Sequence, residues 1–177
     1  MFGRAPADVV AAALFVLLLI AACASDVRTR RVPNPLVAVL ATTGLLYSLA
    51  SDPLIPGLLF GLGGLLLGLA IWLPSWLLRL LGAGDVKLFA AAGAWLGPRA
   101  TLQAAILAGV VGGVLSLVWM LRYRGARGLL LTLTTARYNP KGLVQPRPAE
   151  SAPHHLPYTI ALATGAIIVA WFPRILF

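Results

Sequence analysis

LIPGLLFGLGGLLLGLAIWL, residues 54–73, carries no charged side chain over its whole length. The hydrocarbon core of a bilayer is about 30 Å thick and is crossed by roughly 20 apolar residues in α-helix, so the stretch reads as a membrane helix. Gly57, Gly61, Gly64 and Gly68 recur within it at intervals of four, three and four, which places them on one face. Lipid tails give apolar helices no hydrophobic reason to associate, and small residues let backbones approach instead. The stripe therefore predicts a packing face and no chemistry.

The rest of the chain fits the same solvent. It is 60% hydrophobic and 11% charged, with a mean hydropathy of +0.92, far from soluble globular usage. These values predict an all-α polytopic membrane protein with one membrane-embedded domain over residues 1–177. Six helices are expected, at about 7–25, 36–50, 54–73, 85–96, 101–121 and 156–172. The breaks are read from Asp26 and its basic loop, Pro33 and Pro35, Asp52-Pro53, Pro74 and Gly97-Pro98. Gly109, Gly113 and Ser116 form a second small-residue stripe, read as packing like the first. The fourth helix is the short one, since some twelve residues reach only about 18 Å.

Charge decides between five and six spans. With six, eleven Lys and Arg fall on one side, and only Arg4, Arg99 and Arg174 on the other; with five, the division is seven to seven. Basic residues collect in cytoplasmic loops, which selects six spans with both termini on the non-cytoplasmic side. A basic arm at 122–155 then lies in the cytoplasm. Its apolar part, 128–135, suits either a segment on the inner leaflet or a solvated loop that only sets topology. The net charge of +9 points to anionic lipid headgroups as partners. No soluble or aromatic-basic module is present to hold nucleic acid. Cys23 is the only cysteine, which excludes an intramolecular disulfide and a cysteine zinc site. His154-His155 lacks further ligands and reads as the approach to the last helix, so no metal or cofactor is expected. Trp72, Trp76, Trp95, Trp119 and Trp171 are placed near helix ends, as an interfacial belt.

The five acids are Asp8, Asp26, Asp52, Asp85 and Glu150. Asp26, in SDVRTRRVPN, and Asp85, in GAGDVKL, end or begin apolar runs, where an ionisable group is expensive. Each alone reads equally as a helix terminator. Both fall on the same side under either span count, so neighbouring helices could bring them together. Two close carboxyls cannot both ionise easily, which leaves one to take a proton from water and one to polarise a carbonyl. That is the minimal equipment of an aspartyl peptidase. Helix direction suggests roles: Asp26 lies at a negative C-terminal end and would hold the proton, while Asp85 lies at a positive N-terminal end and would be the base. Gly82 and Gly84 would let an extended substrate backbone approach. Lys87 reads equally as a snorkelling anchor or a substrate contact.

SDVRTRRVPNPL at 25–36 and GAGDVKLFAAAGAWLGP at 82–98 resemble the two signature segments of type IV prepilin peptidases, and LPYTIALATGAIIVAW at 156–171 resembles that family's last helix. The resemblance implies an intramembrane Gly-x-Gly-Asp aspartyl protease of the bacterial cytoplasmic membrane, with Asp26 and Asp85 as its catalytic pair. It implies a prepilin as substrate, whose short basic leader is removed at the cytoplasmic face, ahead of the hydrophobic stalk helix. Larger members carry a long loop with paired cysteines after the first helix and also N-methylate the product. Here nine residues separate Ser25 from Pro35 and none is cysteine, which argues against methylation. The short form resembles the peptidases of tight-adherence (Flp) pili, with archaeal preflagellin peptidases more distant. Presenilin-type proteases share Gly-x-Gly-Asp but not the 25–36 segment. The competing reading is a non-catalytic membrane component of a pilus assembly machine. A proton-coupled transporter would need mid-membrane carboxylates and an internal repeat, neither of which is visible. The lipoprotein-like box Ile20–Cys23 is opposed by the arginines that follow it. Oligomeric state is left open.

Overall fold

The computed structural model of the protein describes residues 6–29, 31–78, 81–138 and 158–172. Among these, every regular element is helical: α1 Pro6–Thr29, α2 Asn34–Ser51, α3 Leu54–Leu77, α4 Ala83–Tyr138 and α5 Tyr158–Trp171. Four of them are long and apolar enough to cross a membrane, over Asp8–Thr29, Asn34–Ser51, Leu54–Leu77 and Ala83–Val118, and α5 is a shorter apolar helix. The chain is an all-helical protein with the composition and lengths of a membrane protein.

Helix ends differ from the expected ones for local reasons. Asp26 does not terminate α1, which continues one further turn to Thr29. The Thr29 hydroxyl bonds the Ser25 carbonyl at 2.8 Å, and Arg28 lies in the last turn, where a cation suits the exposed carbonyls. α2 starts on Pro33 as its cap, with proline in the first turn, and α3 on the cap Pro53. Pro74 does not stop α3. Only one N–H is missing there, and the final turn is closed by Leu78 N–H on the Pro74 carbonyl at 2.9 Å.

Where two helices meeting at Gly97-Pro98 are expected, one continuous element, α4, is found, with Gly97 at φ +71°. The chain nevertheless reverses there. Gly68 faces Ala90, Gly64 faces Gly93 and Gly97, and Gly97 faces Phe60, so α3 runs antiparallel to the first arm of α4. A straight α4 would carry Thr101 past Phe60, yet its methyl lies beside Gly68. On α5, Thr159 meets Asp85 while Gly165 meets Ala104 and Ala108. Residues 159 and 165 are about 9 Å apart along a helix, whereas 85 and 104 would be about 28 Å apart on a straight one. Only a fold-back at Gly97 reconciles these contacts. Thr101 secures the corner by donating to the Gly97 carbonyl at 2.7 Å.

The first arm of α4 is wrapped: every residue from Leu88 to Gly97 is buried. All four glycines of the α3 stripe are buried, facing α2 through Gly57 and Gly61 and α4 through Gly64 and Gly68. The interior is built largely of alanine, including Ala91, Ala94, Ala104, Ala108 and Ala166, while large side chains such as Val10, Leu17, Leu59 and Val110 face outward. That distribution suits lipid outside and close backbones inside. Gly109 and Gly113 depart from it. A side chain at either would meet nothing within 4 Å, so this stripe is not a packing face among the described residues.

Two tryptophans assigned to the interfacial belt are core residues instead. Trp95 is 1% exposed and donates its indole N–H to the Leu40 carbonyl at 2.8 Å, in space left by Gly44. Trp72 is buried against Phe89 and Tyr158. Trp76 and Trp171 are exposed.

The described residues up to Val111 and from Tyr158 onward form one compact unit, and those from Gly112 to Tyr138 a second. In the second unit, residues 122–138 of the expected arm are helical, since no proline occurs between Pro98 and Pro140. The remainder of that arm, with His154 and His155, and the first residues expected for the sixth helix, Leu156 and Pro157, lie outside the described residues.

Candidate active site

Three helices of the first unit supply the site. Asp26 sits in the last turn of α1, whose exit is fixed by the Ser25 hydroxyl donating to the Arg31 carbonyl at 3.1 Å, with the Thr29 hydroxyl, shared with the Ser25 carbonyl, at the same distance. Asp85 lies in the first turn of α4, which opens with Val86 N–H on the Gly82 carbonyl. Thr159 lies in the first turn of α5 and is 0% exposed.

The two aspartates, fifty-nine positions apart in the sequence, are joined by a single side chain. Thr159 Oγ1 lies 2.7 Å from Asp26 Oδ2 and 2.5 Å from Asp85 Oδ1. Two carboxyl oxygens that share one neighbour at such distances are themselves within about 5 Å of each other. The Cys23 thiol, one turn before Asp26, points at the Thr159 carbonyl at 3.8 Å and ties α1 to α5 at this level. Tyr158, the residue before Thr159, meets Trp72 edge to face at 5.9 Å.

The supporting residues are distributed unequally. A Cβ at Gly82 would lie 3.4 Å from Asp85 Oδ2, in van der Waals contact with the carboxyl. Gly84 faces Val32 of the α1–α2 connection, which packs the two aspartate-bearing segments together. Lys87 is exposed. Asp8, a third acid, is engaged elsewhere, accepting from the Tyr47 hydroxyl at 3.0 Å. Among the described residues no three of His, Cys, Asp and Glu converge as a metal site. Thr159 is the residue that the sequence reading missed. Its segment carries part of the family resemblance, but nothing in one Thr of an apolar helix distinguishes it from Thr164, which bonds its own backbone at Ile160.

Fold and site together define a helical membrane protein that gathers two carboxyls around one buried hydroxyl. The chain belongs to the type IV leader peptidase family, whose model matches residues 13–117, more than half of it. The match contains both aspartates and stops short of α5. Curated relatives called prepilin leader peptidase/N-methyltransferase include one from Dickeya chrysanthemi, 35% identical over 60% of this chain and 40% of its own length. One from Klebsiella pneumoniae is 40% identical over 54% of this chain and 43% of its own. One from Burkholderia pseudomallei is 36% identical over 70% and 42% respectively. The chain thus spans about two fifths of the length of the curated relatives it matches. No solved structure matches it significantly.

Proposed function

We propose that the protein is an intramembrane aspartic endopeptidase that removes the basic leader from a type IV prepilin. The observation that carries this reading is the approach of Asp26 and Asp85 to one Thr159 oxygen, at 2.7 and 2.5 Å. Two carboxyls in such proximity favour a state with one proton between them. The ionised one takes a proton from water as it attacks the scissile carbonyl. The protonated one gives its proton to the carbonyl oxygen; the tetrahedral species then collapses as the first carboxyl passes the proton it took from water to the leaving amine and the second regains its proton from a hydroxyl of the tetrahedral carbon. Gly82 leaves room beside Asp85 for an extended substrate backbone, and Lys87 anchors the start of α4 at the headgroups.

The α4 fold-back supports six crossings rather than five, because each arm of α4 then counts separately. The charge asymmetry supports both termini outside and the dyad near the cytoplasmic face of the bacterial inner membrane. The nine residues between Ser25 and Pro35 support a short, Flp-type enzyme without N-methyltransferase activity.

The test is co-expression with a prepilin that has a basic leader ahead of an apolar stalk, scored as a gel shift. Wild type should process it, while Asp26→Ala and Asp85→Ala, confirmed in the membrane fraction, should not. Cleavage surviving either substitution would defeat the aspartyl mechanism and favour the non-catalytic assembly component.

A further inference from the structure

A hydroxyl carries one hydrogen. Thr159 Oγ1 stands within hydrogen-bond distance of two carboxyl oxygens, 2.7 Å from Asp26 and 2.5 Å from Asp85. It can donate to one of them only. The other contact is favourable when that carboxyl is protonated and donates to the threonine oxygen; with both ionised, one contact sets two lone-pair oxygens against each other. With both protonated, the threonine still donates to a carbonyl oxygen, but that bond to a neutral acceptor is weaker than the one it makes to a carboxylate. The geometry fits one proton on the pair better than none or two.

We propose that Thr159 is a positioning residue that selects the singly protonated state of the Asp26–Asp85 pair and holds the two carboxyls in register across α1, α4 and α5. Three observations fit this role. Thr159 is 0% exposed, so water does not compete for its hydroxyl. Its hydroxyl lies in the first turn of α5, where no carbonyl four residues back belongs to the helix, and is left for the carboxyls, whereas Thr164, deeper in the same helix, bonds the Ile160 carbonyl at 2.7 Å. Its own backbone is tied to α1 through the Cys23 thiol, so the oxygen is held where α1 and α4 converge.

The inference rests on the peptidase reading and is separable from it. Purified full-length Thr159→Val, which keeps the shape and removes the hydroxyl, is compared with Thr159→Ser, which keeps the hydroxyl, on a prepilin with a basic leader. Hydrogen bonds to charged groups are worth roughly 10–100-fold in rate. The expected result is a fall of that order in kcat for Thr159→Val, with KM changed less than about threefold, and a narrowed pH range of activity. Thr159→Ser should return to within about threefold of wild type. Infrared difference spectra give a second readout that needs no substrate: the protonated-carboxyl band abolished by Asp26→Asn plus Asp85→Asn should move in Thr159→Val and not in Thr159→Ser. An unchanged kcat, pH profile and carboxyl band in Thr159→Val would overturn the inference, as would equal damage from Ser and Val. If instead Asp26→Ala or Asp85→Ala still cleaves, it is the peptidase reading that fails.

Discussion

Thr159 and Thr164 are the same residue type, one and a half turns apart on one apolar helix, and only one of them meets the carboxyls. At the residue scale this is where sequence reasoning reached its limit. Asp26 and Asp85 were legible because a carboxylate in an apolar run has few inexpensive explanations. A threonine has many, so its role depends on contacts 133 and 74 residues away along the chain. Two predictions belong here. A pair sharing one proton should give a bell-shaped pH–rate profile: activity falls on the acid side as the second carboxyl is protonated, and on the alkaline side as the shared proton leaves. A monotonic profile in a purified peptide-cleavage assay would contradict it. Helix polarity places Asp26 at a negative end and Asp85 at a positive one, so Asp26→Asn should retain more cleavage than Asp85→Asn, by roughly tenfold for an effect of about 1.4 kcal/mol. The reverse order in the same assay would exchange the two roles.

At the scale of elements, glycine spacing was readable in one case and misleading in the other. The stripe at Gly57, Gly61, Gly64 and Gly68 is buried against α2 and α4, and the stripe beginning at Gly109 touches nothing among the described residues. Spacing gives a face; it does not say whether another helix arrives there. The two classes should separate on substitution. A methyl at Gly64 would run into the backbone of Gly93 and Gly97, so Gly64→Ala should destabilise by about 2 kcal/mol or more and lower the melting temperature in detergent by several degrees. Gly113→Ala has open space and should be neutral or gain up to about 1 kcal/mol of helix propensity. Equal melting temperatures for the two variants would refute the packing assigned to α3. Gly97 stands apart, since φ +71° is costly for any other residue and Phe60 already fills the space of a side chain. The Gly-Pro pair was therefore a correct sign of a change in direction, although it did not reveal that helical hydrogen bonding would carry through the corner.

At the scale of the molecule, hydropathy and charge gave the solvent and the expected orientation, while the order of helices around the dyad was beyond them. Periodicity finds helices one at a time, and pairings such as α1 with α5 arise from contacts that no local window contains. The orientation yields a direct test. In a variant with Cys23 replaced by serine, single cysteines at positions 31 and 99 should react with a membrane-impermeant thiol reagent from opposite sides, position 31 from the cytoplasm. Labelling from one side at both positions would restore the five-span arrangement.

The hydroxyl that joins the two aspartates comes from the last described helix, more than seventy residues after the second aspartate has been made. Both carboxyls are thus in the membrane well before the group that unites them. On the peptidase reading, synthesis of the chain therefore leaves the two acids unbridged until α5 docks against α1.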